Sequence, residues 1–183
     1  MVIVKTRDSS VAPWYTWHNT FSNLTDDYIR LNATSAKQTQ SSGWGAGMTS
    51  SVIGLRAGYT TVATEDHIAY CFAEVEGYSS IDSYTGNGSA DGTFIYTGFR
   101  PAWVITKRTD SSGNWYINDE KRPLYNVTVP LYADLANAEG GNGIDLLSNG
   151  FKIRNADSSQ NASGGTYIYM AFAENPFKNA NAR

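Results

Sequence analysis

Only one cysteine, Cys71, occurs in 183 residues, so no disulfide can close within the chain and no cysteine-based zinc site can form. Cys71 sits in an apolar run, where an inert buried thiol is expected over a nucleophile. Two histidines, His18 and His67, are too few for a histidine-rich metal site. Glu65 and His67 share one face of an extended strand, but the spacing reads as a solvated turn entering that strand, and no metal or other cofactor is expected. Charge is also scarce. Asp, Glu, Lys and Arg make up 17 % of the chain, against roughly 25 % in an ordinary soluble domain. Fourteen basic residues face 17 acidic ones, giving a net charge of −3, and no block of five like charges occurs. That balance argues against a basic-patch nucleic-acid binder. No apolar stretch approaches the roughly 18 residues a membrane-spanning helix needs, so membrane insertion is not expected. The opening MVIVKTRDSS lacks the basic and apolar regions of a signal peptide. There is no G-x-S-x-G, and GWGAGM (43–48) lacks the lysine and the strand-to-helix setting of a phosphate loop.

What the chain has in quantity is aromatic. Twelve Tyr, seven Phe and five Trp bring aromatics to 13 %, together with abundant Gly, Ser, Thr and Asn. Branched and aromatic residues fit pleated, half-buried surfaces, while Gly, Asn and Ser favour tight turns. The composition predicts many short strands and few helices.

The strands come in two sets. VIVKTRDSS (2–10) lies over VITKRTDSS (104–112) at an offset of 102, and the WY pairs at 14–15 and 115–116 follow at 101. IRLNATSAK (29–37) lies over LYADLANAE (131–139) at 102, with Asn32 over Asp134. AYCFAE (69–74) and YMAFAE (169–174) close each set on Phe-Ala-Glu at an offset of 100. Order and spacing hold over about 70 residues, so the chain is expected to be all-β, built of two tandem, internally repeated antiparallel β-sandwich modules at 1–78 and 79–183. LNATSAK and ADLANAE carry enough Ala for one helical turn each. SNGFK predicts a hairpin with an Asn-Gly turn. The second set is preceded by strand-like GTFIYTGFRPAW (92–103), and SYTG within 75–91 is expected to add a first strand. The first set has no such strand before Val2. The expected consequences are a chain that is part of a longer product, and a VIVK edge open to a partner subunit or an upstream segment.

Glu74 and Glu174 could suggest a glycosidase pair. A residue repeated in both sets more often answers one structural demand twice, by accepting backbone amides or pairing with an arginine. The reading expects the two glutamates at equivalent positions and Phe72 and Phe172 buried. Candidate ligand contacts are aromatic: Trp14, Trp17, Trp44, Trp115 and Tyr116 lie in or near turn-rich stretches, and such rings stack on sugar faces. Trp17 and Trp44 have no Trp counterpart in the second set and are the favoured pair. The competing expectation is that these rings fill a core or a subunit contact.

GFRPAWVITKRTDSSGNWYI, followed by LLSNGFKIRNADSSQNASGGTYIYMAFAENPF, resembles a domain family repeated near the C-termini of tailed-bacteriophage virion proteins. Gly98, Phe99, Pro101, Trp103, Val104, Ile105 and Lys107 fit the family's G-F-x-P-x-(aromatic)-V-I-x-K opening; residues 148–152 fit its hairpin and 171–177 its close. The resemblance implies a non-enzymatic virion structural protein on the particle surface, of the tail-fibre or spike type. It further implies a homo-oligomer, a trimer by analogy with such appendages, contacting other virion proteins and a host cell-surface polysaccharide. A capsid decoration or head-fibre protein is the alternative, and a surface-polysaccharide depolymerase ranks third. The chain departs from the family where its first set begins at Met1 rather than with an opening strand.

Overall fold

The short runs of Val, Ile, Thr and Tyr fold as strands, because side chains on a pleated ribbon alternate between two packing faces. The structure, a computed structural model, describes residues 1–8, 12–41, 43–45, 48–56, 65–122, 128–141 and 143–175. Among the described residues strands occupy 41 % and helix 3 %, so the all-β expectation holds. Val2–Thr6 (β1), Tyr15–Trp17 (β2), Asp27–Arg30 (β3), Gln38–Thr39 (β4) and His67–Cys71 (β5) form one antiparallel sheet, ordered β4-β3-β2-β1-β5. Ser79–Thr85 (β6), Phe94–Tyr96 (β7), Pro101–Arg108 (β8), Trp115–Asp119 (β9) and Leu131–Tyr132 (β10) come next, then Ile144–Leu147 (β11) and Gly150–Ile153 (β12). One short helix, Ser158–Asn161 (α1), precedes Thr166–Ala173 (β13). These strands make a second sheet, β10-β9-β8-β13-β6, and a three-stranded third, β11-β12-β7.

The ladders of the two five-stranded sheets run in parallel registers. Val2, Ile3, Val4 and Lys5 stand opposite Cys71, Tyr70, Ala69 and Ile68. Val104, Ile105, Thr106 and Lys107 stand opposite Ala171, Met170, Tyr169 and Ile168. Val2 also faces Trp17, as Val104 faces Asn118. Tyr15 faces Arg30, as Tyr116 faces Tyr132.

Period-two alternation sorts side chains into layers. Along β13, Tyr167, Tyr169 and Ala171 join Val104 and Tyr84 in a core shared with Ile144, Leu146, Phe151 and Ile153 of the third sheet. The intervening Ile168 and Met170 point the other way, with Ile81, Ile105 and Trp115, to meet Ile3 and Ile29 of the first sheet and Met1 and Phe21 beside it. The second sheet is therefore central, packed on both faces. Burying an isoleucine contributes about 1.5–3 kcal/mol, which makes this shared layer the main bond between the halves. On its far face the first sheet packs Val2, Val4 and Tyr28 against Trp44, with Met48 and Ile53 alongside. Among the described residues the first half thus holds one sheet covered by an irregular segment, where the sequence predicted a complete sandwich.

Three local expectations need correction. VIVK is not an edge: β1 lies between β2 and β5, and β5 is the outer strand. The segments 31–37 and 133–139 form no helical turn. In the first of them the Thr34 carbonyl accepts from Gly113 N and from Lys107 Nζ, at 2.9 and 3.0 Å, and these tertiary bonds override alanine's helix preference. In the SNGFK hairpin Leu147 pairs with Gly150, so the glycine stands inside β12 rather than in the turn. Its role is close approach: a Cβ there would lie 2.1 Å from the Ile95 carbonyl oxygen.

Candidate functional site

The two Phe-Ala-Glu phrases meet in space. β5 ends at Cys71 and the chain turns through Gly77, whose positive φ of 74° suits glycine, into β6. Phe72 N bonds the Met1 carbonyl at 2.9 Å, and Ala173 N bonds the Tyr78 carbonyl at 2.8 Å. These bonds bring the Phe72 and Phe172 rings within 6.0 Å, edge to face. Tyr78 and Trp103 pack on Phe172 at 5.7 and 5.8 Å. Both phenylalanines are half-buried rather than fully buried, because each touches the other at the margin of the inter-sheet core. Glu174 pairs with Arg100 at 3.0 Å, the kind of structural role expected of it, and Glu74 is exposed.

Beside this junction lies an open groove of about 420 Å³, lined by Glu74, Glu76, Ser79, Ser80, Tyr96 and Thr97, with neighbouring backbone. Tyr96 is 67 % exposed, the most open of the large hydrophobic side chains among the described residues. Strand alternation places it there: Ile95 turns into the core while Phe94 and Tyr96 face out. An aromatic ring beside carboxylates and hydroxyls can stack on a sugar face and bond its hydroxyls. The sequence did not single out this group, because Phe94, Ile95 and Tyr96 are all apolar and only sheet packing decides which of them faces out.

The candidate aromatics are dispersed. Trp44 is wholly buried, its Nε1 donating to the Asp27 carbonyl at 2.8 Å. Trp115 is buried between the sheets, with Nε1 on the Arg30 carbonyl at 2.8 Å and backbone N on Asp134 Oδ1 at 3.1 Å. Tyr116 is buried against Tyr132 at 5.2 Å. Burial takes these three out of reach as ligand contacts: their rings complete cores, and both indole N–H groups are satisfied inside. Trp14 and Trp17 are half-buried. Trp14 stacks on Tyr70 of β5 at 6.3 Å, and Trp17 donates to the Leu24 carbonyl at 2.9 Å. Trp17 also lines an apolar cavity of about 420 Å³ with Met1, Met48, Val52 and Cys71. Cys71 is exposed, contrary to the buried thiol expected. No single surface unites the five.

Buried polar groups brace the fold. His18 Nε2 donates to the Tyr169 carbonyl at 3.3 Å, and Nδ1 meets the Thr20 hydroxyl at 2.9 Å. Burial pushes its pKa from 6.5 down to about 4, so the ring is neutral at pH 7. Lys107, also buried, donates to the carbonyls of Thr34 and Gly113, and burial lowers its pKa to about 8. Asp27 is held by Lys37, by the Thr39 hydroxyl at 2.7 Å and by Asn23 N at 3.1 Å. Burial alone would raise its pKa, but these partners bring it below the usual value. His18 and Lys107 join the two halves, whereas the Asp27 cluster braces the first half from within. Glu65 is bonded by the Thr6 hydroxyl at 2.7 Å, while His67 Nδ1 meets the Glu65 carbonyl at 2.8 Å, so that pair is locally occupied. Among the described residues no group of three His, Cys, Asp or Glu could hold a metal ion. Nor is any helix there long and apolar enough to cross a membrane.

A family model described as a domain of unknown function, DUF7483, matches residues 1–176, nearly the whole chain. No curated protein and no solved structure matches it.

Proposed function

The chain belongs to the DUF7483 family, and from that footing we propose that it is a non-enzymatic structural component of a phage particle, a tail-fibre or spike-type appendage. It is built from two copies of one β unit, joined near residue 79, that bind rather than catalyse. The observation that carries the reading is the matched register. Every residue pair quoted above for the first sheet falls on its partner in the second at the sequence offsets of 102, 101 and 100. A one-residue slip would turn every inward side chain outward, so agreement across three ladders supports duplication. The bond from Trp14 N to Asn32 Oδ1 (3.1 Å) recurs as Trp115 N to Asp134 Oδ1, which supports it further. The phage assignment itself rests on the resemblance of both closing phrases and of the G-F-x-P opening.

Host polysaccharide is then contacted at the open groove of Tyr96, Glu74 and Glu76, with copies of this chain, in a trimer, and other virion proteins as partners. A glycan array with the whole chain tests the contact: binding that falls at least tenfold in Tyr96→Ala supports it, and unchanged binding refutes it. Antibody labelling of intact particles tests the location, and head labelling would refute the fibre assignment. A second reading, a capsid decoration or head-fibre protein bound to other virion proteins, is favoured by the β5 edge at Ala69 and Cys71, which no described strand covers.

A further inference from the structure

We propose that the edge of β5 at Ala69 and Cys71, which no described strand covers, takes up an antiparallel strand of the β6 type, supplied by another unit of the same repeat. The proposal rests on the duplication argued above and names the partner that the first unit accepts.

Backbone parity defines the edge. Phe72 N bonds Met1 O and Arg7 N bonds Asp66 O, so even-numbered residues of this stretch turn their peptide groups to β1. Ala69 and Cys71 therefore turn theirs outward, and among the described residues β5 pairs with β1 alone. In β13 the same parity holds. Thr109 N bonds Thr166 O on the β8 side, and Ala173 N bonds Tyr78 O on the β6 side. The outward groups of β5 correspond to those that β13 directs at β6.

The side chains tell the same story. Ile168 and Met170 are 2 % and 3 % exposed, while Ile68 and Tyr70, at the matching positions of β5, are 37 % and 43 % exposed. β6 covers β13 through seven residue pairs, placing Ile81 opposite Met170 and Ser80 opposite Ala171. Carried to β5, that register sets an isoleucine opposite Tyr70, beside the stacked Trp14 ring, and a small residue opposite Cys71. Natural edges are blunted by lysine, proline or a bulge, yet β5 reads HIAYC and pairs with β1 without a register shift. Strand addition draws its affinity from such main-chain groups and its specificity from alternate side chains. The chain itself already holds one such ladder, which decides for a β6-type strand over a second β5.

The test adds a synthetic peptide of residues 78–86, YSSIDSYTG, to the full chain and follows amide exchange residue by residue. The expected result is at least tenfold slower exchange at Ala69 and Cys71 and a change in Trp14 fluorescence. A peptide N-methylated at the positions of Ser80 and Asp82, whose amides face β13 in the chain, is expected to give neither. Ala69→Pro, which removes an outward donor and spares the β1 ladder, is expected to abolish the effect. Equal behaviour of native and N-methylated peptides overturns the proposal, as does protection of Ala69 and Cys71 by self-association without peptide. Fast exchange at both residues that the peptide leaves unchanged sinks the proposal and leaves the duplication standing. Protection equal to that of Tyr169 and Ala171, at every dilution and without peptide, sinks both.

Discussion

Acidification should weaken the joint between the two five-stranded sheets through one residue. His18 is buried and neutral, donating through Nε2 to the Tyr169 carbonyl of the other half, with its pKa lowered to about 4 from 6.5. In the unfolded chain the ring takes a proton near 6.5, so between that value and about 4 the unfolded state binds more protons. Its contribution is therefore fully present above pH 6.5 and is lost as pH falls toward 4. At about 1.36 kcal/mol per pH unit, the loss from pH 7 to pH 5 is roughly 2 kcal/mol. For a chain of this size that is a fall in Tm of roughly 4–8 °C. The assay is denaturant unfolding followed by tryptophan fluorescence at pH 7, 6 and 5, on the native chain and on His18→Gln. The N-terminal amine, lowered by burial to about 6 from 8.0, also destabilises on acidification and is present in both proteins, so it cancels to first order in their difference. Asp27 acts only below the ordinary carboxylate range. An equal loss of stability in both proteins between pH 7 and pH 5 would refute the reasoning.

Other perturbations test the fold at separate points. Gly150→Ala places a methyl 2.1 Å from the Ile95 carbonyl oxygen, where backbone must shift; thermal melts should show a loss of about 3 kcal/mol. Trp44→Ala empties a fully buried site and should cost about 3–5 kcal/mol, whereas Trp14→Ala, at a half-buried ring, should cost clearly less. Equal losses would contradict the difference in burial between the two rings. Asp27→Asn removes the charge from the cluster with Lys37 and Thr39 and should cost about 1–3 kcal/mol at pH 7. Because its partners depress the Asp27 pKa, the variant should also lose less stability than the native chain as pH falls below about 4.

Much of the fold is legible in local pattern because strand register is a local property. VIVK is a run of branched residues, as buried strands are, and the offsets of VIVK, WY and the Phe-Ala-Glu phrases mark the residues that occupy equivalent places in the two sheets. The SNGFK hairpin was visible for the same reason, although Gly150 serves a neighbouring strand that the hairpin alone could not reveal. What escaped was everything decided by layers. Whether Trp44 or Tyr96 meets solvent depends on which sheet packs on which, and neighbouring residues do not encode that. Trp44 looked like a surface ring because glycines flank it, yet those glycines allow the chain to fold over Val2, Val4 and Tyr28. The expected edge at β1 was misplaced for a related reason: which strand lies outermost is set by sheet order, and β1 lies between β2 and β5. The helical turn proposed at LNATSAK was lost to Lys107 and Gly113, two contacts from the other half.

A duplicated unit requires two ladders with one register. Cross-strand backbone NOEs in an isotope-labelled sample measure this directly, residue by residue. The prediction is that Ile3 lies opposite Tyr70 and Thr16, and that Ile105 lies opposite Met170 and Ile117. A slip of one residue in either sheet would contradict it, and the proposal of a duplicated unit with one open edge would fall with it.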